Sequence, residues 1–84
     1  MEFLFALDQD TEEVIVSHSP KGSSKINFIE RIKKEDNTQF YGAVEFLYTI
    51  SSSSKFNAKV FKTMDKVCQL LYTEHQEIYP ISRQ

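Results

Sequence analysis

Four lysines near the C-terminal end have a spacing that could form a binding surface. They are Lys55, Lys59, Lys62 and Lys66. At about 100° per residue of an α-helix, all four fall within about 60° of one another. Ammonium groups at one-turn intervals suit a phosphate backbone or an acidic protein surface, with affinity that falls as salt rises. Lysine-rich helix faces also occur simply because they keep a protein in solution, so that interpretation stays open.

A second basic group precedes these lysines. It consists of Lys21, Lys25, Arg31, Lys33 and Lys34. Residues 1–20 carry five acids and no Lys or Arg, whereas residues 21–66 carry nine bases and five acids. If both basic groups shared a face, binding to nucleic acid or an acidic protein would be favoured. With two arginines and no Gly-rich aromatic motif, nonspecific nucleic-acid contact is the most that the sequence supports.

The residue types that commonly catalyse reactions are present without a catalytic arrangement. His18 lies between Ser17 and Ser19, but adjacency in sequence does not make a catalytic triad. His75 lies near an expected helix end, where it can interact with the helix dipole or with Glu74 and Glu77. Two separate histidines and Cys68 do not form a zinc site. We therefore predict no catalytic residue and no cofactor.

The acids of the segment Asp8–Glu13 alternate with other residues, as calcium ligands often do. The segment lacks the glycine and the distal glutamate of an EF-hand loop. A solvated turn between two strands is therefore the better interpretation, and no metal is predicted. Cys68 lies beside an apolar stripe, which favours a buried thiol that packs as a small hydrophobic group.

Alternation of apolar and other residues predicts an N-terminal β-hairpin. Phe3, Phe5 and Leu7 have the spacing of a strand with one buried face, and residues 14–16 form a second, β-branched run. A loop rich in Ser, Pro and Gly follows over residues 17–24. Residues 25–34 fit either a helix or a strand. The capping serines before them and the Glu30–Lys34 spacing favour a helix.

Two further helices are predicted toward the C-terminus. Phe40, Val44, Leu47 and Tyr48 have the spacing of one helix face. A long amphipathic helix is then predicted from Ser54, as its N-cap, to about His75. Its apolar stripe consists of Phe56, Val60, Met64, Val67 and Leu71. This stripe should face the core, opposite the lysines, so Val60→Asp is expected to unfold the domain.

Chain length and composition indicate one folded domain. The 84 residues are 40% apolar, with seven Phe, four Tyr, two Gly and two Pro, which suffices for a single core. We predict the α+β class, with the N-terminal hairpin packed against two or three helices. A domain this small is marginally stable, so a homodimer is also considered.

The sequence also bears on the compartment. A single cysteine cannot form an internal disulfide, and the first residues lack the basic segment of a signal peptide. No apolar run approaches the roughly 20 residues that span a bilayer. A cytoplasmic protein without membrane association is therefore expected.

The most economical functional interpretation is a small, non-enzymatic regulatory or inhibitory protein that binds another macromolecule, most simply a protein. A structural subunit of a larger assembly is an alternative. The predicted order of elements is a first strand, then two helices over residues 24–52, then basic and apolar segments. In this order alone, the chain also resembles compact ribonucleases of the bacterial toxin kind. That resemblance implies RNA cleavage involving Lys62 or Tyr79, and it requires strands over residues 56–74.

Overall fold

Three antiparallel strands precede two helices in the computed structural model, which describes residues 3–20 and 24–80. The strands are β1 (Phe3–Asp8), β2 (Glu13–His18) and β3 (Asn27–Lys33), and they lie in the order β1-β2-β3. A short 3-10 turn (Lys34–Asp36) leads to helix α1 (Thr38–Ser51), and helix α2 (Ala58–Ile78) follows. The predicted α+β class is confirmed.

The prediction of a helix over residues 25–34 is wrong, because most of this segment is strand β3. The register of β2 against β3 shifts between Val16 and Ser17, whose partners are Glu30 and Phe28. Ile29 is therefore an extra residue in β3, as in a β-bulge, and it packs against the core. The bulge breaks the strand alternation, which explains why the isoleucine spacing in this segment resembled that of a helix.

One face of the sheet packs against the helices and forms the core with them. The buried apolar residues are Val14, Val16, Ile32, Phe40, Tyr41, Val44, Leu47, Cys68 and Tyr72. Aromatic side chains link the layers: the ring of Phe5 meets that of Phe40 edge-on at 5.3 Å between centroids, and Phe3 meets Tyr72 at 4.7 Å. Such contacts add to the stabilisation from apolar burial.

Helix α1 begins at an asparagine cap and buries most of its predicted face. The Asn37 side-chain oxygen accepts a hydrogen bond from the Phe40 amide at 3.0 Å, which satisfies one of the amides that a helix start leaves unpaired. Tyr48, which was also predicted on the buried face, is 39% exposed. Its hydroxyl instead donates to the carbonyl of Phe5 and accepts from the amide of Leu7.

Helix α2 begins later than predicted. Its N-cap is Asn57, whose side chain accepts from the amides of Lys59 and Val60, so the expected cap at Ser54 is wrong. Lys55 and Phe56 consequently lie in the turn before the helix.

The predicted facing of α2 is also wrong, by about a quarter turn. The fully buried residues are Cys68, Tyr72 and His75, whereas Val60 and Val67 are 41% and 36% exposed. Tyr72 determines this orientation, since its ring contacts Phe3, Phe5 and Phe40. Of the expected stripe, Met64 and Leu71 are half-buried and pack against the core, whereas Val60 and Val67 lie at its edge.

Candidate functional site

Three of the four predicted lysines lie on one exposed side of α2. Lys59, Lys62 and Lys66, which we call the lysine ridge, are all exposed and fall within about 60° of one another around the helix. The ridge lies roughly opposite Cys68 and Tyr72. No salt bridge in residues 3–20 and 24–80 involves these three lysines. Lys55 is exposed as well, but it belongs to the preceding turn.

An exposed apolar strip runs beside the lysine ridge. It consists of Val60, Val67 and Leu70, which are 41%, 36% and 66% exposed. At about 100° per residue, Leu70 lies only about 20° from Lys59 and about 40° from Lys66 around the helix axis. The outward side of α2 therefore combines positive charge with apolar surface.

Basic residues on the sheet are in a different situation. Arg31 donates to Glu13 at 2.9 Å and to Asp8 at 2.5 Å on the face of the sheet away from the helices. Lys34 lies 3.5 Å from a Glu12 carboxylate oxygen and over the Tyr41 ring. Arg31 and Lys34 thus pair with acids of the hairpin and do not extend the lysine ridge, and Lys21 lies outside the described residues.

Hydrogen bonds alter the ionisation of this outer-face network. The Arg31 guanidinium is the main cause that lowers the pKa of Glu13, and Thr11 contributes. The pKa of Asp8 is lowered chiefly by the Thr11 backbone amide, and Arg31 adds to this. In return, Glu13 and Asp8 raise the pKa of Arg31. Two of the acids predicted to form a solvated turn, Asp8 and Glu13, are therefore held in the ionised form partly by the sheet's arginine.

A polar cluster that the sequence did not predict lies at the C-terminal end of α2. His75 is only 6% exposed, and its Nδ1 lies 3.0 Å from the Asn37 side-chain nitrogen. Because the Asn37 oxygen already accepts from Phe40, its NH2 group faces His75. His75 Nδ1 must then accept, which assigns the proton of the neutral ring to Nε2. The expected interaction of His75 with the helix dipole stays a prediction, and the contact with Asn37 is an addition to it.

The same cluster contains a tyrosine–carboxylate pair. The Tyr72 hydroxyl donates to Glu30 at 2.6 Å, and the Gln76 amide lies 3.5 Å from that hydroxyl. Burial raises the pKa of Tyr72, and the adjacent Glu30 carboxylate raises it further. Tyr72 therefore stays protonated as a hydrogen-bond donor.

A cavity of about 350 Å³ opens beside this pair, at the β3 end of the cluster. Its lining residues are Glu30, Arg31, Ile32, Asp36, His75 and Tyr79. Sequence reasoning missed it because the residues come from two distant segments, 30–36 and 75–79, and most of the first segment was assigned to the wrong secondary structure.

The other residues considered for catalysis or metal binding make contacts that are typical of structural residues. Cys68 is fully buried, and burial raises its pKa from 9.0 to about 11, with a smaller contribution from Asp65. The Asp8 carboxylate accepts from the amides of Asp10 and Thr11, which closes the hairpin turn. The ring of His18 lies 5.9 Å from that of Phe3. In the described part of the chain, no group of three or more His, Cys, Asp or Glu could hold a metal ion.

The geometry implied by the ribonuclease resemblance is not present. Residues 58–74, which would have to be strands, lie in α2. Lys62 and Tyr79 are separated by 17 positions, which is about 25 Å along a helix. They are too far apart to act on one phosphodiester.

Comparison with known protein families, curated proteins and solved structures finds no match to this chain. Among the helices of the described residues, none has both the length and the apolar character needed to cross a bilayer.

Proposed function

We propose that this chain is a non-enzymatic binding protein that regulates or inhibits a partner protein by docking the outward side of α2 against an acidic amphipathic helix. The observation that carries the proposal is the lysine ridge beside the apolar strip. Lys59, Lys62 and Lys66 are exposed and have no acidic partner within residues 3–20 and 24–80. An acidic helix would supply both the missing charges and an apolar cover.

The two parts of this surface would contribute differently. Carboxylates over the lysine ridge would speed association and orient the partner, and their effect would weaken with salt. Burial of Leu70 and its neighbours would add affinity at roughly 25 cal/mol per Å² of apolar surface, before the costs of association. The apolar strip also favours a protein partner over nucleic acid, because phosphates gain nothing from contact with Val or Leu.

The acidic hairpin of a second copy of the chain fits the surface less well. Of the acids in the hairpin, Asp8 and Glu13 are bonded to Arg31, and Glu12 lies near Lys34. These carboxylates are already compensated within their own molecule. A separate acidic helix therefore matches the lysine ridge better than the acidic hairpin of a second copy does.

Titration with synthetic peptides tests the proposal. One peptide places Glu and Leu at helical spacing, a second has the same composition in scrambled order, and a DNA duplex serves as the nucleic-acid probe. We expect the patterned peptide to bind at least tenfold more tightly than the scrambled one. Lys62→Glu and Leu70→Ser should each weaken it severalfold, whereas the matched control Lys33→Glu, on the sheet, should not.

Three results would contradict the proposal. Equal binding of both peptides would remove the need for a helix, and stronger binding of DNA that is insensitive to Leu70→Ser would indicate a nucleic-acid surface. Concentration-dependent dimerisation abolished by Lys62→Glu would show that α2 binds a second copy. Unfolding midpoints of all variants should stay close to that of the wild type, since the substituted side chains are exposed.

A further inference from the structure

The cavity between β3 and the end of α2 has one fixed hydrogen-bond donor. Since Asn37 donates to Nδ1 of His75, the ring proton lies on Nε2. No described residue accepts from Nε2, yet no buried side-chain nitrogen or oxygen of the described chain lacks a hydrogen bond. Nε2 is therefore solvent-accessible, although the residue is only 6% exposed and lines the cavity. We infer that its N–H opens into this cavity.

Hydrogen-bond acceptors lie on the neighbouring wall. Only one Glu30 carboxylate oxygen is bonded to Tyr72, and Asp36 has no bonded partner among the described residues. Arg31 also lines the cavity, but its guanidinium is held by Asp8 and Glu13 at the other face of the sheet. The cavity thus presents two carboxylates, one N–H donor and no available cation from its lining.

Aromatic and apolar surfaces complete the site. The Tyr79 ring lies 5.0 Å from that of His75 and is 59% exposed, and Ile32 contributes a buried apolar wall. An exposed aromatic ring beside hydrogen-bonding groups suits a flat ring that can stack on it. The volume of about 350 Å³ is at the lower end of small-molecule sites.

We propose that this cavity binds a small amino-substituted heteroaromatic ring, of the adenine or cytosine type, as a base or nucleoside. The exocyclic amino group would donate to Glu30 or Asp36, the ring nitrogen beside it would accept from His75 Nε2, and the ring would stack on Tyr79. An ammonium or guanidinium ligand has no acceptor, so it could pair with the carboxylates but could not use the His75 N–H. The carboxylates would repel a phosphate group.

The site is separate from the lysine ridge, and its proposal does not rest on that of the acidic helix. Calorimetric or NMR titration of the full chain with adenosine, purine riboside and adenosine 5′-monophosphate tests it. Purine riboside differs from adenosine only in lacking the amino group. We expect adenosine to bind about tenfold more tightly than purine riboside, because one charge-assisted hydrogen bond is lost. The monophosphate should bind more weakly than adenosine.

Variants locate the binding. Asp36→Asn and Tyr79→Ala, both at exposed positions, should each weaken adenosine binding severalfold. The adjacent controls Glu35→Gln and Ile78→Ala, whose side chains do not line the cavity, should leave it unchanged. No adenosine or cytidine binding at millimolar concentration would overturn the proposal. Equal binding of purine riboside, or binding of methylguanidinium alone, would also overturn it.

Discussion

The two halves of α2 differ in what their side chains do. Residues 58–67 contain no fully buried side chain, and they carry the lysine ridge and most of the apolar strip. Residues 68–79 contain Cys68, Tyr72 and His75, all buried, and Tyr72 and His75 make hydrogen bonds to Glu30 and Asn37. The second half of α2 therefore supplies the buried anchors of the helix, whereas the first half packs only half-buried side chains such as Phe61 and Met64 against the core.

This difference explains how a short chain can have both a core and a broad exposed helix surface. In small domains most apolar side chains are needed for stability. Here Tyr72 supplies much of this stability, because its ring contacts those of Phe3, Phe5 and Phe40. Substitutions in the two halves of α2 should accordingly have very different effects on the free energy of unfolding.

Tyr72→Ala should have the largest effect. Removing a fully buried aromatic side chain typically costs about 3–5 kcal/mol, and here Glu30 would lose its hydroxyl partner as well. Urea unfolding followed by circular dichroism measures the loss. A cost below about 1 kcal/mol would mean that Tyr72 does not anchor α2.

Asn37→Ala should have the second-largest effect on stability. It removes the α1 cap, which is worth about 0.5–2 kcal/mol, and the contact to His75 Nδ1. Asn37→Asp provides the comparison, since it keeps a cap acceptor but cannot donate to Nδ1. If Asn37→Asp were as stable as the wild type at neutral pH with an unchanged His75 tautomer by NMR, the assigned hydrogen-bond pattern would be wrong.

The Cys68 thiol should respond to alkaline pH. Its pKa is 9.0 in the ordinary state and about 11 in the fold, so the folded state holds the proton more tightly. The resulting stability is complete below pH 9 and is lost as the pH rises through about 11. Alkylation of native protein at pH 8 should be slow and should accelerate in urea. Rapid alkylation without urea would contradict the burial of this thiol.

Arg31→Gln should have a smaller effect on stability, and this effect should depend on pH. Arg31 and Thr11 lower the pKa values of Glu13 and Asp8, so these carboxylates stabilise the fold above their ordinary pKa values near 4. That contribution disappears as the pH falls through the lowered values. Urea midpoints of the variant should therefore fall less steeply than those of the wild type below pH 4. Parallel curves would show that Arg31 does not stabilise the ionised forms.

Val60→Asp should have the smallest effect, although the apolar stripe in the sequence predicts unfolding. Val60 is 41% exposed and lies in the first turn of α2, where a carboxylate interacts favourably with the helix dipole. The change in the free energy of unfolding should be within about 1 kcal/mol. A loss of stability as large as that of Tyr72→Ala would instead support the buried side of α2 that the sequence suggests.

Local patterns in the sequence were sufficient for the α+β class and for the spacing of most of the α1 core residues. Strand β3 was not predictable in this way, because the bulge at Ile29 disrupts its alternation. The facing of α2 depends on Tyr72 meeting rings from β1 and α1, which is a tertiary contact with no local pattern. The cavity at His75 requires β3, Asn37 and α2 together, so no local pattern predicts it. Helical spacing correctly placed three of the four lysines on one side of α2, but Lys55 precedes the helix.

Chemical-shift mapping of the isotope-labelled protein with the patterned acidic peptide tests the central claim most directly. The proposal predicts shifts concentrated at Lys59, Lys62, Lys66 and Leu70, which diminish as salt is raised. The amides of Tyr72 and His75 should move little, because their half of α2 anchors the fold. Shifts centred on the outer face of the sheet, or spread evenly over the chain, would contradict the assignment of α2 as the docking surface.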